Sequence, residues 1–473
     1  MVVGDLAQEI DVLVIGAGPG GYVAAIRAAQ LGKSVTIVDK AELGGVCLNR
    51  GCIPSKALIS AAERYQKLQS IGDMGIEIDG EVKVDMPKLM KWKGRVVKKL
   101  TRGVNSLLKG NKVEIISGEA FFTDRNRVRI VTEGSGQTYQ FQDVIIATGS
   151  RAAELPSLPF DGKRILSSTE ILELQEVPKR LIVIGGGYIG LELGTAYAKL
   201  GTEVTILEAT ESLLPGTDPA LTKMVARKLK KLGVKAITEA FVEGGENTGD
   251  EVVVKAKVKG EEQTFTADYC LVAIGRTPNT NDLGLESIGV ELDERGFIKI
   301  DEQCKTNIDH IYAIGDCAGG DLLAHKASYE GKVAAEVISG QKSVIDYQAM
   351  PYVIFSDPEI AYTGLTEAEA KEAGYQPVVS RFPFQALGRA LSMNETDGFV
   401  QVVADQESKR LLGVQIVGPE ASSLIGEAVF ALEMGANIED LALTVHAHPT
   451  LTEGIMEAAE GILGLSVHMI NRR

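Results

Sequence analysis

The sequence predicts an α/β fold in which two Rossmann-like units are followed by a separate α+β domain. The first observation is a repeated pattern: an apolar run leads into GxGxxG, then a helix-like stretch, then a strand that ends on an acid. The second is a change of texture from Met350 onward, where alternating strand-like segments and helices replace that pattern. The third is the length of 473 residues, which is too great for one hydrophobic core.

The first unit carries a glycine motif between a buried strand, residues 11–15, and a helix. Gly16 permits a tight turn, Gly18 lets the backbone approach a pyrophosphate, and Gly21 allows close helix packing. The helix N-terminus then supplies amide donors to the phosphates. Asp39 ends the next strand, where a carboxylate accepts a hydrogen bond from a ribose hydroxyl. GxGxxG alone can be only a turn, but this context favours a dinucleotide site.

The second unit repeats the motif as Gly185, Gly187 and Gly190, and its second strand ends on Glu208. A carboxylate at this position accepts from a free 2′-hydroxyl and repels a 2′-phosphate, and no Arg follows it in residues 209–214. Both features favour NAD over NADP. The motifs do not assign a nucleotide to each unit, but FAD and NAD form the natural pair of a tightly held carrier and an exchangeable one.

The net charge of −15 argues against a nucleic-acid partner, since phosphate contacts require clustered Lys and Arg. The same charge would favour a basic protein partner through long-range attraction. No apolar stretch of about 18 residues is present, so no membrane association is expected. Residues 1–10 are acidic and lack the features of a signal peptide, which predicts a cytoplasmic protein.

Two of the five cysteines, Cys47 and Cys52, form a close pair. On a regular helix, five residues separate two Cα atoms by about 8–9 Å. A disulfide requires about 4.4–6.8 Å, so a bonded pair requires a break in the helix between them. Gly51 permits such a break, and Pro54 suits the first turn of a following helix.

Three functions compete for this cysteine pair. A zinc site is disfavoured, because it needs about four ligands and no other Cys or His lies nearby in sequence. Two inert thiols are an open alternative. A redox-active pair is preferred, because a labile disulfide is a suitable redox partner for the two dinucleotides that the glycine motifs predict. Of the other cysteines, Cys270 and Cys317 are expected to be packed inside and Cys304 to be exposed.

A second set of titratable residues, His446, His448 and Glu453, lies near the C-terminus. Histidine is the side chain whose ordinary pKa suits a general base near pH 7, and a carboxylate is its usual companion. Pro449 restricts the backbone directly after His448. From the residues alone, a solvated or internally satisfied histidine pair is an equal alternative, and a metal site is less favoured. No metal is expected.

The segment GGVCLNRGCIPSK resembles the active-site signature of the pyridine nucleotide–disulphide oxidoreductases that have a short redox loop. Further segments are similar to that family in order and spacing: ATG at 147–149, GxGxxG at 185–190, AIGRTPN at 273–279, AIGDC at 313–317 and HAHPTLTE at 446–453. The resemblance covers essentially the whole chain.

The resemblance implies four domains. They are an FAD-binding domain with the cysteine pair (1–150), an NAD-binding domain (151–279), a central domain completing the FAD site (280–348) and an interface domain responsible for dimerisation (349–473).

The resemblance also implies roles at the redox site. Cys47 would exchange with a dithiol substrate, and Cys52 would face the flavin and form a charge-transfer contact as a thiolate. Lys56 would lie near flavin N5 with Glu192 as its ion partner.

Further cofactor contacts follow from the matched motifs. Tyr188 would cover the flavin where nicotinamide stacks, and Asp316 would bind the ribityl chain. The remaining expected cofactor-binding residues are Thr148, Gly149, Gly275 and Arg276.

In the resembling family His448 would be the general base and Glu453 its partner, and His448 would serve the disulfide of the other subunit of a homodimer. His446 receives no role.

Within the family, the similarity is greatest to members that oxidise dihydrolipoyl groups to lipoyl disulfide and reduce NAD⁺. The implied partner is the dihydrolipoyl group on an acyltransferase (E2) subunit of a 2-oxo acid dehydrogenase complex. Another NAD(P)H-dependent flavin disulfide reductase is the alternative enzyme, and a non-catalytic scaffold subunit is the alternative outside catalysis.

Overall fold

A computed structural model describes residues 7–471 of the chain. Residues 1–6 of the N-terminal segment considered above, and the last two arginines, lie outside the described residues. The described chain contains two largely parallel sheets covered by helices, an antiparallel five-stranded sheet near the C-terminus and two smaller antiparallel sheets. This mixed α/β architecture is the predicted one.

The first unit is a parallel sheet extended by an antiparallel hairpin, with strand order β3-β2-β1-β6-β5-β4. Its elements are β1 (Gln8–Ile15), α1 (Pro19–Gln30), β2 (Val35–Asp39), α2 (Gly45–Arg50), α3 (Cys52–Gln69), α4 (Met86–Gly110), β3 (Glu114–Ser117), β4 (Glu119–Asp124), β5 (Arg127–Thr132), β6 (Ser135–Ile146) and β7 (Ser150–Ala152). In the register of the sheet, Ile15 pairs with both Val38 and Ile146. The loops after β1, β2 and β6 therefore leave the sheet at one edge.

The second unit repeats this arrangement, with parallel strand order β11-β10-β9-β15-β8 and a separate antiparallel sheet, β12-β13-β14. Its elements are β8 (Ile165–Leu166), β9 (Arg180–Ile184), α5 (Tyr188–Lys199), β10 (Glu203–Leu207), α6 (Pro219–Lys231), β11 (Lys235–Ile237), β12 (Ala240–Asn247), β13 (Val252–Val258), β14 (Glu261–Ala267) and β15 (Tyr269–Val272). Ile184 pairs with both Leu207 and Val272, so the corresponding three loops again meet at one edge.

The chain then returns to the first unit. This segment comprises β16 (Arg276–Pro278), α7 (Leu285–Ile288), β17 (Ile311–Ala313) and α8 (Ala324–Ile338). Strand β17 pairs in parallel with β6, α8 packs along α1, and β16 pairs with β7. The residues after β17 therefore reach the same sheet edge as the first glycine motif.

The C-terminal part is an antiparallel sheet with order β18-β19-β22-β21-β20, covered by helices. Its elements are β18 (Tyr352–Ile354), β19 (Ile360–Gly364), α9 (Glu367–Glu372), β20 (Pro377–Pro383), α10 (Gly388–Met393), β21 (Phe399–Asp405), β22 (Leu411–Val417), α11 (Ala421–Glu433), α12 (Ile438–Leu443) and α13 (Glu453–Leu463). Its core is formed by both faces of the central strands, since β22 is buried along its whole length.

The burial of the minor cysteines differs in one case from the expectation. Cys270 and Cys317 are fully buried, as predicted. The prediction of an exposed Cys304 is wrong: its side chain is fully buried and its sulfur contacts the carbonyl of Glu330. The polar residues around Cys304 form a turn, and a left-handed backbone with φ 61° directs its side chain inward toward α8.

Within residues 7–471 no helix is both long and apolar enough to cross a membrane. The domain boundaries after residues 150, 279 and 348 remain a prediction.

Candidate active site

The glycines of the first motif meet different steric demands. A Cβ at Gly16 (φ +105°) would lie 2.2 Å from the carbonyl oxygen of Ala147, and one at Gly21 would lie 1.9 Å from that of Gly16. A Cβ at Gly18 meets no heavy atom within 4 Å. The chain itself therefore requires the first and third glycines, whereas the second borders open space.

The second motif shows the same pattern. A Cβ at Gly185 (φ +103°) would lie 2.4 Å from the Ala273 oxygen, one at Gly190 would lie 2.1 Å from the Gly185 oxygen, and Gly187 is open. Helices α1 and α5 also begin without a side-chain cap, which leaves their first amide groups available to a ligand. Unpaired amides beside an open glycine fit a phosphate group.

The two predicted acids lie beside these loops. Asp39 accepts from the amide of Ala17 at 2.5 Å, and Glu208 accepts from the amide of Gly186 at 2.6 Å. A carboxylate has about four acceptor positions, so each acid retains capacity for ribose hydroxyls. Both motifs thus have the donors, the space and the acid that a dinucleotide requires.

The helix that carries Cys47 begins against the first glycine loop. The amide of Gly44 donates to the carbonyl of Ala17 at 2.8 Å, and a Cβ at Gly45 would lie 2.6 Å from the Cα of Gly18. Gly44 and Gly45 both have positive φ, 93° and 59°. These two glycines were not among the predicted site residues, although their adjacency to Cys47 was the available signal.

The helix breaks between the two cysteines, as their spacing predicts. Helix α2 ends at Arg50, Gly51 takes φ −136° and ψ −110°, and α3 begins at Cys52. Pro54 occupies the first turn of α3. The break brings the two side chains together, and a hydrogen bond joins Cys47 to Cys52.

The two thiols have opposite acidities. A hydrogen bond donated by Cys47, opposed by burial and assisted by the charge of Lys56, lowers the pKa of Cys52 to about 7. The same hydrogen bond, together with burial, raises the pKa of Cys47. The reduced pair therefore holds its proton on Cys47 and its negative charge on Cys52 near neutral pH.

Lys56 and Glu192 form the predicted ion pair, with 2.7 Å between Nζ and Oε2. Glu192 is buried, at 4 % side-chain exposure, and its second oxygen accepts from the amide of Phe355 at 2.9 Å. The Lys56 ammonium also lies 4.6 Å from the centre of the Phe355 ring. The pair therefore joins α3, α5 and the C-terminal part of the chain.

Other predicted cofactor residues gather where β7 and β16 pair. Arg276 donates to the Ser150 hydroxyl at 2.7 Å, and that hydroxyl donates to Asp316. Burial raises the pKa of Tyr188 to about 12, Arg276 opposes this shift, and Asp316 adds to it. The charges of Glu192 and Cys52 also raise this pKa.

Thr148 and Gly149 of the ATG segment pair with a residue that the sequence did not single out, Asn279. The Thr148 hydroxyl donates to the Asn279 carbonyl at 2.7 Å, and the Asn279 amide group donates back to the Thr148 carbonyl at 3.0 Å. Gly149 accepts from the Asn279 backbone amide at 2.9 Å, and Gly275, the last of the predicted set, has φ +134° beside β16.

A buried ion pair in α8 was also missed. Lys326 and Glu330 lie 2.6 Å apart, Glu330 accepts from the amide of Gly315, and Lys326 donates to the carbonyl of Gly319. These bonds hold both ends of the turn that presents Asp316. The (i, i+4) spacing was the signal, but it is typical of exposed helix faces.

The histidines form two separate carboxylate pairs. His448 Nδ1 lies 2.9 Å from Glu453, which also accepts from the amide of Thr450 at 2.8 Å. Burial raises the pKa of Glu453, but these two hydrogen bonds outweigh that effect and lower the pKa. His446 is paired with Glu427 at 2.7 Å, so it is internally satisfied.

The His448 side chain is 77 % exposed. In the part of the chain that the structure describes, no hydrogen bond or ion pair links His448 or Glu453 to Cys47 or Cys52. One protomer therefore brings the thiols, Lys56 and the glycine loops together, but not the histidine. No group of three or more potential metal-binding side chains occurs between residues 7 and 471.

The sequence pattern of the pyridine nucleotide-disulphide oxidoreductases matches residues 10–331, and that family's dimerisation domain matches residues 350–459. The chain belongs to this family. Its cofactors are FAD and NAD.

Two similar relatives are named dihydrolipoyl dehydrogenase. The protein from Geobacillus stearothermophilus is 56 % identical over 472 residues, covering 100 % of both chains. That from Haloferax volcanii is 49 % identical over 477 residues, again covering 100 % of both chains.

Solved structures of similar fold extend the comparison. LpdA from Mycobacterium tuberculosis has a TM-score of 0.89 at 28 % identity and covers 95 % of this chain and 99 % of its own. The HOCl-induced flavoprotein disulfide reductase RclA from Escherichia coli has a TM-score of 0.85 at 28 % identity, with the same coverage.

We expect Gly18→Ala and Gly21→Ala to separate cofactor binding from folding. Gly18→Ala should leave the stability of the FAD-free protein within about 1 kcal/mol, because its Cβ meets no protein atom, yet weaken FAD binding. Gly21→Ala should destabilise the FAD-free protein itself, by about 2 kcal/mol or more, because its Cβ overlaps backbone. Urea denaturation and FAD titration measure both effects, and equal destabilisation by the two substitutions would contradict this assignment.

The reduced protein should show a Cys52 thiolate that forms as pH rises through about 7. The pH profile of Cys52 alkylation by iodoacetamide, followed by mass spectrometry, measures its midpoint. Lys56→Met should raise that midpoint, because the cation that favours the thiolate is lost. Lys67→Met, on the same helix but paired with Glu395, is the control and should leave the midpoint unchanged.

Proposed function

We propose that the protein is a dihydrolipoamide dehydrogenase (dihydrolipoyl dehydrogenase), which oxidises dihydrolipoyl groups to lipoyl disulfide and reduces NAD⁺ to NADH. The observation that carries this proposal is the Cys47–Cys52 dithiol with its acidic Cys52, in a chain that also has two loops suited to dinucleotides. Relatives of that name, 47–56 % identical over the full chain, support it.

FAD is held by the first glycine motif and Asp39, with Asp316, the ATG segment and Lys56 around its remaining parts. NAD is held by the second glycine motif, where the carboxylate of Glu208 would repel a 2′-phosphate. The FAD held there would supply the chemistry that couples the two-electron oxidation of the cysteine pair to hydride transfer to NAD⁺. The Tyr188 side chain, at the start of α5, is 42 % exposed. It would cover the flavin at the position where nicotinamide stacks.

The thiol exchange uses the residues of the chain. One sulfur of the dihydrolipoyl group attacks Cys47 in the Cys47–Cys52 disulfide, and His448 takes the thiol proton. The S–S bond breaks, Cys52 leaves as a thiolate next to Lys56, and a mixed disulfide remains at Cys47. The second substrate thiol attacks that mixed disulfide, which releases lipoyl disulfide and returns Cys47 as a thiol.

His448 acts on the disulfide of the partner subunit in a homodimer. Its exposed ring lies in a C-terminal part whose surface carries large apolar side chains. These side chains, each more than half exposed, are Phe430, Met434, Leu443, Val445, Leu465, Val467 and Ile470. An exposed apolar area of this kind requires a covering surface, and the matched dimerisation domain fits a second copy.

The dihydrolipoyl substrate is carried on an acyltransferase (E2) subunit of a 2-oxo acid dehydrogenase complex, and the enzyme works in the cytoplasm. A different NAD(P)H-dependent flavin disulfide reductase is the second candidate, favoured by the structural similarity to RclA.

The test of this function is an anaerobic titration of the purified, FAD-containing protein with dihydrolipoamide, recorded in the visible range. A long-wavelength charge-transfer band should appear in the wild type, be present in Cys47→Ser without any reductant, and be absent from Cys52→Ser, because it needs the Cys52 thiolate beside oxidised FAD. A flavin that dihydrolipoamide leaves oxidised but another thiol reduces would favour the second candidate.

His448→Gln should lower the rate with dihydrolipoamide about 10²–10⁴-fold, because the general base is lost. Reduction of bound FAD by NADH, which needs no such base, is the internal control and should be retained. Mixed homodimers of His448→Gln and Cys47→Ser should recover about a quarter of wild-type activity, because half of the dimers are hybrids with one complete site. No recovery in hybrids would place His448 and its disulfide on one subunit.

A further inference from the structure

Helix α4 has an unusual charge distribution. The chain as a whole has 64 acidic and 49 basic residues, but α4 has eight Lys and Arg and neither Asp nor Glu. Seven of the eight are exposed, and we call them the basic stripe: Lys88, Lys91, Arg95, Lys98, Lys99, Arg102 and Lys109.

The basic stripe runs along one face of the helix. At about 100° per residue, its members fall within a sector of about 100°, opposite the buried side chains Met86, Met90, Val104 and Leu108. From Lys88 to Lys109 the stripe extends for about 32 Å. The eighth basic residue, Lys93, points inward and pairs with Glu173 at 2.6 Å.

The chain provides almost no counter-charge for this stripe. Lys88 pairs with Asp85, which caps the helix, and no other member has an ion pair within residues 7–471. Like charges three and four residues apart destabilise a helix, and the stripe contains several such pairs. The chain as a whole is acidic, yet it contains this repulsive basic cluster. Such a cluster is typical of a surface that binds an anionic partner.

Apolar side chains border one side of the stripe. Trp92, Leu100 and Leu107 are 37 %, 40 % and 55 % exposed and fall on the same flank of the helix. Aromatic and aliphatic groups next to cations are typical of protein–protein interfaces, whereas phosphate backbones are met chiefly by cations alone. The combination therefore favours an acidic protein surface.

The helix that carries the stripe packs against the helices that carry the redox pair. Helix α4 packs against both α2, which carries Cys47, and α3, which begins at Cys52. A protein bound along α4 is thereby held near the sulfur that exchanges with substrate. A second copy of this chain is a poor occupant, because a symmetric contact would bring two basic stripes together.

We propose that the basic stripe docks an acidic, folded carrier domain and thereby brings that domain's dithiol to Cys47. This inference rests on the proposed function, because it assumes that the substrate is a protein-borne dihydrolipoyl group. Attraction between the stripe and the carrier raises the encounter rate and lowers KM for the carried substrate. A free dithiol of low molecular weight gains nothing from the stripe.

The test compares two substrates, free dihydrolipoamide and an acidic lipoyl domain in its dihydrolipoylated form, by steady-state kinetics of the FAD-containing enzyme. The test variant is R95E/K98E/R102E. The matched control is K223E/R227E/K230E on α6, which changes the net charge equally through three exposed cations without ion pairs among the described residues. FAD content and circular dichroism check the fold of each variant.

We expect kcat/KM for the carrier domain to fall at least about tenfold in the test variant, mainly through KM, and to fall with added salt in the wild type. The kcat/KM for free dihydrolipoamide should change by less than about twofold in both variants. The control variant should keep the wild-type kcat/KM for the carrier domain. A neutral variant, R95Q/K98Q/R102Q, should lie between wild type and charge reversal.

Three results would overturn the docking proposal. They are unchanged carrier kinetics in the test variant, an equal loss for both substrates, and an equal loss in the control. With unchanged carrier kinetics, binding of wild type but not the test variant to phosphatidylglycerol vesicles or duplex DNA would assign the stripe to a membrane or a nucleic acid. A wild-type enzyme that oxidises no free dihydrolipoamide would instead reject the proposed function itself.

Discussion

The buried carboxylate of Glu192 is the group on which the geometry of the active site depends. It accepts from Lys56 on α3 and from the backbone of Phe355, while it is itself carried by α5. A buried carboxylate without partners is costly, and removal of one partner from a buried pair costs about 3 kcal/mol or more. The folded state therefore holds these three parts of the chain in one arrangement. Lys56 follows Cys52 by four residues on α3, and the arrangement fixes the position of its ammonium group.

The chemistry of the cysteine pair follows from this placement. Cys52 has a lower pKa than an ordinary thiol because it accepts a hydrogen bond from Cys47 and lies near the charge of Lys56. The charge of Glu192 raises the pKa of Cys52 and so opposes the effect of Lys56. Glu192 also holds the Lys56 ammonium in place. The α2 helix starts directly on the first dinucleotide loop through Gly44 and Gly45. Cofactor loop and redox pair are therefore one structural unit.

Much of this arrangement could be predicted from local sequence. Steric rules demand Gly16, Gly21, Gly185 and Gly190, because each would bring a Cβ against backbone of its own unit. The break at Gly51 follows from helix geometry and the reach of a disulfide. Such features depend on residues near each other in sequence, where periodicity and allowed dihedral angles are informative. Local sequence did not predict the roles of Asn279 and Ser150, because their partners lie far along the chain. It did not predict the buried Lys326–Glu330 pair, because its spacing is common on exposed helices.

The sequence by itself determined the two Rossmann-like units, the α+β C-terminal part and the identity of the redox cysteines, since each is encoded in a short pattern. Only the tertiary structure decided that Cys304 is buried, and that His446 is bound to Glu427 while His448 remains exposed. Acidity and burial are set by the groups that surround a side chain in space. Those groups come from other segments of the chain, as Glu427 does for His446 and Glu330 for Cys304, so no local pattern can specify them.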